Sequence, residues 1–183
     1  MLKNIWQMII LILFISFFVL LQFSFISALP NPFRQFNLVL FALIFILFFL
    51  DFRLSLVSAL IAGFGLDLVS FNFFGFYLLI FFCTLLLAQF ILKDWLTNRS
   101  FYTLLTLMVG LTFFYNILAA LILYLVSSDY SAFFLWQSHF WLIVFYQIAW
   151  GFLVSLLMFN LLSFLSKKIK PFFLEKKSLY DSI

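Results

Sequence analysis

The chain has 183 residues, of which 68% are hydrophobic, 24% aromatic and 9% charged, with a formal net charge of +4. Its mean hydropathy is +1.28. Soluble domains carry an apolar share nearer ~45–50%, so this composition excludes a water-soluble globular protein and indicates an integral membrane protein. The single cysteine, Cys83, lies inside an apolar run, which excludes a disulfide framework or a cysteine metal cluster.

The first apolar stretch, 5–29, follows Lys3. It is longer than the ~7–15 residues of a signal h-region and no small-x-small cleavage site follows, so it is expected to be a retained transmembrane helix. A helix needs about 20 apolar residues to cross the hydrocarbon core. On that measure further spans are predicted at 35–51, 54–70, 73–92, 101–126 and 138–165. The second and third are short and separated by Asp51-Phe52-Arg53. A single helix over 35–70 would be far too long for a bilayer, so a tight turn is expected there.

The charges set an orientation. With six spans and a cytoplasmic N-terminus, the inner side holds Lys3, Arg53, Lys93, Arg99 and lysines 167, 168, 170, 176 and 177. That is nine of the ten basic residues, leaving only Arg34 outside, as the positive-inside rule requires. The expected architecture is an all-α integral membrane protein. It has six transmembrane helices, cytoplasmic N- and C-termini, one transmembrane domain over 1–166 and a basic cytoplasmic tail over 167–183. The tail mixes lysine and phenylalanine and suits anionic lipid, at about 1 kcal/mol per basic residue. Neither nucleic-acid binding nor a bound cofactor is expected.

Span three is the most informative. Ser55, Ala59, Gly63 and Asp67 follow one another in i, i+4 steps and share one helical stripe. Small residues there permit close approach of another helix. An acid within lipid-length segments needs a partner, so Asp67 is expected at a packed junction. Its candidate partners are a helix N-terminus, a hydroxyl or Arg34. Two roles are open: a proton- or substrate-linked carboxylate, or a cap for the helix over 73–92 that pins the turn with Asn72 and Gly75. Asp67 stands without other titratable groups in line, which favours the cap. A cap predicts that Asp67→Asn keeps function, because the amide retains an acceptor.

Gln89, Asn116, Gln147 and Asn160 are isolated polar residues within spans and read as interhelical hydrogen-bonding groups. Trp6, Trp95, Trp136 and Trp141 fall near span ends, as an aromatic belt requires. Tyr146, Trp150 and Gly151 lie deeper in the last span and offer a groove for a partner helix. His139 is a lone histidine at an outer boundary, a poor basis for a metal site. There is no P-loop, no Ser/His/Asp set, no H-E-x-x-H and no paired intramembrane aspartates, so no enzyme activity is expected.

Gly63, Asp67 and Gly75, spaced four and then eight, resemble the G-x-x-x-D-(seven residues)-G signature of MreD, the small rod-shape-determining membrane protein of bacterial cell-wall elongation. The resemblance is best over 32–89. Pro30-Asn31-Pro32 is similar to the family's proline-containing outer loop, although Gln35 and Asn37 stand where an acid is usual. The resemblance implies a non-catalytic, multi-pass subunit of the bacterial cytoplasmic membrane that binds the scaffold protein MreC. Through it the subunit would support lateral peptidoglycan synthesis by RodA glycosyltransferase and its transpeptidase, and connect indirectly to MreB filaments. It also implies a fold resembling the substrate-binding subunit of energy-coupling-factor transporters. A small-molecule (vitamin) carrier of that type is the alternative function. Against it, the first helix has no alanine from Ile9 to Leu21 for the Ala-x-x-x-Ala docking stretch of those subunits, and the outer loops are sparse in polar residues.

Overall fold

The computed structural model describes residues 2–31, 33–70, 72–94, 101–126 and 138–168, and side chains over 9–31, 33–70, 72–93, 101–126 and 140–157. Six α-helices account for most of them: α1 (Leu2–Ser24), α2 (Leu38–Phe49), α3 (Phe52–Val69), α4 (Phe76–Asp94), α5 (Phe101–Val126) and α6 (Ser138–Lys168). Two 3-10 turns, Ile26–Ala28 and Phe33–Gln35, lie between α1 and α2. No strand occurs among the described residues. Five helices are long and apolar enough to cross a membrane, all but α2. The chain is an all-helical, multi-pass membrane protein.

The element that departs most from expectation is α2. Its 12 residues span only ~18 Å, against a hydrocarbon core of ~30 Å. Nine of them are buried, from Val39 to Phe48, leaving only Leu38, Phe45 and Phe49 outside that set. The helix packs against α1, α3, α4 and α5 at once. It is therefore a central plug inside a cage of longer helices, and its apolar surface meets protein more than lipid. The predicted start at 35 is too early because residues Phe33–Gln35 wind into a separate 3-10 turn and Asn37 caps the helix, accepting from the Leu40 amide at 3.0 Å. Likewise α1 ends at Ser24, not 29, where a 3-10 turn takes over.

The turn at Asp51 is present: the Leu50 amide closes α2 on the Ile46 carbonyl, and α3 begins at Phe52. Helix α1 shows the two faces of a lipid-bounded element. Leu11, Ile15 and Val19, at four-residue steps, are buried, while Ile10, Leu13, Phe17 and Leu20 are exposed. Without a hydrophobic driving force between helices in lipid, association rests on close packing and hydrogen bonds. Here packing is most extensive between α3 and α4.

Candidate functional site

Helices α3 and α4 run antiparallel through a short turn, and the stripe on α3 faces inward along its whole length. Ser55, Ala59, Gly63 and Asp67 are all buried, with Ser58 and Ala62 beside them. At Gly63 the helices touch backbone to backbone. A Cβ placed there would lie 2.5 Å from Leu78 Cα and 2.8 Å from Leu78 N. Only the absent side chain permits that approach. Gly65 is looser, since a Cβ there meets only the Val19 Cγ1 methyl of α1 at 3.1 Å.

One turn further on, Asp67 is 5% exposed and gives both carboxylate oxygens to α4. Oδ1 accepts from the Tyr77 amide at 2.8 Å; Oδ2 accepts from the Gly75 amide at 3.1 Å and the Leu78 amide at 3.3 Å. A helix leaves its first four N–H groups without intrahelical partners. In α4 all four are accounted for: Asp67 takes those of Gly75, Tyr77 and Leu78, and the Phe73 carbonyl takes that of Phe76 at 3.2 Å. The residue at the capping position is Gly75, whose carbonyl accepts the Leu79 amide at 2.9 Å and whose φ is +95°. That left-handed backbone favours glycine, and glycine has no side chain to cap the helix. The capping group therefore arrives from α3, at the positive end of the α4 dipole.

Gly63, Asp67 and Gly75 thus form one device, a lock that fixes α3 against α4. Of the candidate partners for Asp67, the helix N-terminus is the one used; Arg34 forms no ion pair with it. The capping role agrees with the sequence reading, but the tolerance expected of Asp67→Asn does not follow. With both oxygens occupied, the amide would turn its NH2 toward one set of N–H donors. The small-residue stripe is likewise covered by the chain's own helices, so it does not present Ser55, Ala59 or Gly63 to another protein.

A second polar cluster sits at the same end of the bundle, where α1 finishes and α2 and α4 begin. Gln22 of α1 accepts from the Leu38 amide at 2.7 Å and donates to the Phe36 carbonyl at 3.1 Å, clipping the start of α2 to α1. Tyr115 of α5 stacks on Phe81 of α4 at 5.7 Å between ring centroids, and its hydroxyl interacts with the Asn37 side chain. Asn116 donates to Gln147 at 2.6 Å, joining α5 to α6 as expected of such residues. Trp150 packs on Phe33 of the second 3-10 turn at 4.7 Å, and Gly151 is buried against a void of about 10 Å³ shared with Phe36 and Asn37. Of the groove expected at Tyr146, Trp150 and Gly151, the chain's own Phe33 covers Trp150, while Tyr146 is exposed and a Cβ at Gly151 would meet nothing within 4 Å.

Sequence reasoning missed Gln22, Asn37, Tyr77 and Tyr115. The available signal was Gln22 itself, an amide within the apolar run of the first helix. Cys83 is half-buried and unpaired. Among the described residues no three His, Cys, Asp or Glu side chains gather to hold a metal ion. Trp95, Trp136, Asp129 and most of the lysine tail fall outside the described residues, as do the side chains of Trp6, His139 and Asn160.

Comparison with protein-family models, curated proteins and solved structures finds no match for this chain. Its function has to be read from its residues.

Proposed function

We propose that the chain is a non-catalytic subunit of the bacterial cell-wall elongation complex, of the MreD kind, that binds an MreC-type scaffold in the cytoplasmic membrane. The observation that carries this reading is the shared use of Gly63, Asp67 and Gly75. The three residues on which the resemblance rests are spent together on one structural task, the α3–α4 lock. A carboxylate committed through both oxygens to backbone amides serves a fold that must hold its shape against a partner, more than proton transfer. In this reading α2 completes a six-helix domain with both termini cytoplasmic, and the end bearing Gln22, Arg34 and Asp67 faces outward, in keeping with the lysine distribution. Lipid-facing helices such as α1 then supply the surface on which a bitopic scaffold helix packs.

The test is affinity purification of the tagged protein from its host's membranes in mild detergent, with identification of what accompanies it. An MreC-type scaffold together with wall-synthesis enzymes is the expected result. Recovery of an ATPase module with a transmembrane coupling subunit would overturn the proposal in favour of the energy-coupling-factor carrier.

A further inference from the structure

The polar end of the bundle encloses a partly open cavity of about 190 Å³. Gln22, Tyr77, Tyr115 and Gln147 line it from four different helices, and Arg34 and Gln35 line it from the second 3-10 turn. For scale, an engineered apolar cavity of ~150 Å³ in another protein admits benzene, so this larger, partly open one suits a compact solute of roughly six to ten non-hydrogen atoms.

Its chemistry has a sign. Among the described residues no acid lines the cavity, and Asp67, at the same end of the bundle, has both oxygens committed to α4 amides. The amide acceptors on its wall are largely occupied: Gln22 Oε1 by the Leu38 amide and Gln147 Oε1 by Asn116. The donors are not. Arg34 is exposed, and its guanidinium makes no hydrogen bond or ion pair among the described residues; the Nε2 of Gln147 is likewise uncommitted among them. A guanidinium carries five N–H donors in a planar fork and no acceptor. The wall therefore offers the positive charge of Arg34 and the spare N–H groups of Arg34 and Gln147, against one open amide acceptor among the described residues, Gln35 Oε1.

We propose that this cavity binds a small anion bearing one carboxylate or phosphate group, with Arg34 engaging the charged end through its fork and Gln147 a neighbouring oxygen. Phe36 and Leu66 give the remaining wall an apolar side against which a short carbon body packs. Such an anion has two sources, a free solute or the headgroup of an anionic phospholipid. The site goes beyond the assembly reading and does not depend on it, since a scaffold-binding subunit and a carrier can each hold such a ligand.

The experiment uses the full chain in nanodiscs of phosphatidylcholine, read by thermal melting and native mass spectrometry. Glycerol phosphate and lactate are titrated as free anions and choline as a cationic control; a parallel set of discs contains phosphatidylglycerol. The expected result is a saturable rise in melting temperature with a bound adduct. If the soluble anions produce it, the ligand is a solute; if only phosphatidylglycerol does, it is a headgroup. Arg34→Gln should leave ligand-free melting unchanged, because the side chain is exposed and unpaired among the described residues, and weaken binding by about tenfold or more. Arg34→Lys, which keeps the charge without the fork, should fall between the two. The proposal is overturned if no anion binds, if choline binds as well as the anions, or if Arg34→Gln binds like the wild type.

Discussion

Replacing Asp67 by alanine leaves the Gly75, Tyr77 and Leu78 amides without their acceptor at a junction where the carboxylate is 5% exposed. An orphaned buried donor costs about 1–3 kcal/mol. Taking about 1–2 kcal/mol for each of the three, because the turn has some freedom to relax, the lock should weaken by about 3–6 kcal/mol. Asp67→Asn is intermediate. Its carbonyl oxygen can keep the shortest bond, to Tyr77 at 2.8 Å, while its NH2 group faces the Gly75 and Leu78 amides, for a loss of about 2–4 kcal/mol. Hydrogen exchange in mild detergent reads this locally. The three amides should exchange roughly a hundredfold to ten-thousandfold faster in Asp67→Ala, with Asn between alanine and wild type, since each ~1.4 kcal/mol is a factor of ten. Exchange at all three sites within about threefold of wild type, a change of under ~1 kcal/mol, would refute the capping account.

Three further outcomes follow from the same geometry. Gly63→Ala should destabilise by about 1–3 kcal/mol, because its Cβ meets Leu78 backbone that cannot swing aside, whereas Gly65→Ala meets only the Val19 methyl and should cost less than half as much; melting of the two variants side by side checks the order. Gly75→Ala has free space around its Cβ but inherits a φ of +95°, so a loss of about 1–2 kcal/mol from backbone strain alone is expected, visible as faster exchange at the start of α4. Gln22→Leu removes the acceptor from the Leu38 amide and should loosen α2 by about 1–2 kcal/mol, seen as selective deprotection of Leu38 while Leu40, capped by Asn37, changes little.

The helices were legible wherever an apolar run is bounded by polar residues. The fifth, bracketed by Arg99-Ser100 and Ser127-Ser128, was placed at 101–126, where the structure has it. Asp67 was legible as a packed cap because burying an acid in lipid-length sequence demands a partner. Which amides it would serve, and through which oxygen, was not, since that depends on how far α4 has turned when it meets α3. The small-residue stripe announced a close helix contact, but spacing along one helix does not say whether the neighbour belongs to the same chain; it is α4. The central position of α2 was hidden for a related reason: a buried helix and a lipid-facing one are equally apolar, and the 3-10 turns that shorten it depend on tertiary contacts such as Phe33 on Trp150. The polar cavity was not legible because its lining is gathered from the segment before α2 and from five helices, and spacing along the chain does not show that these meet.

The central claim, a part in wall elongation, is tested most directly by depleting the protein in its host while following insertion of labelled wall precursor. The account predicts that lateral insertion fails and cells lose their elongated shape, and that wild-type protein restores both while Asp67→Ala does not. Unchanged lateral insertion and shape after depletion would contradict it.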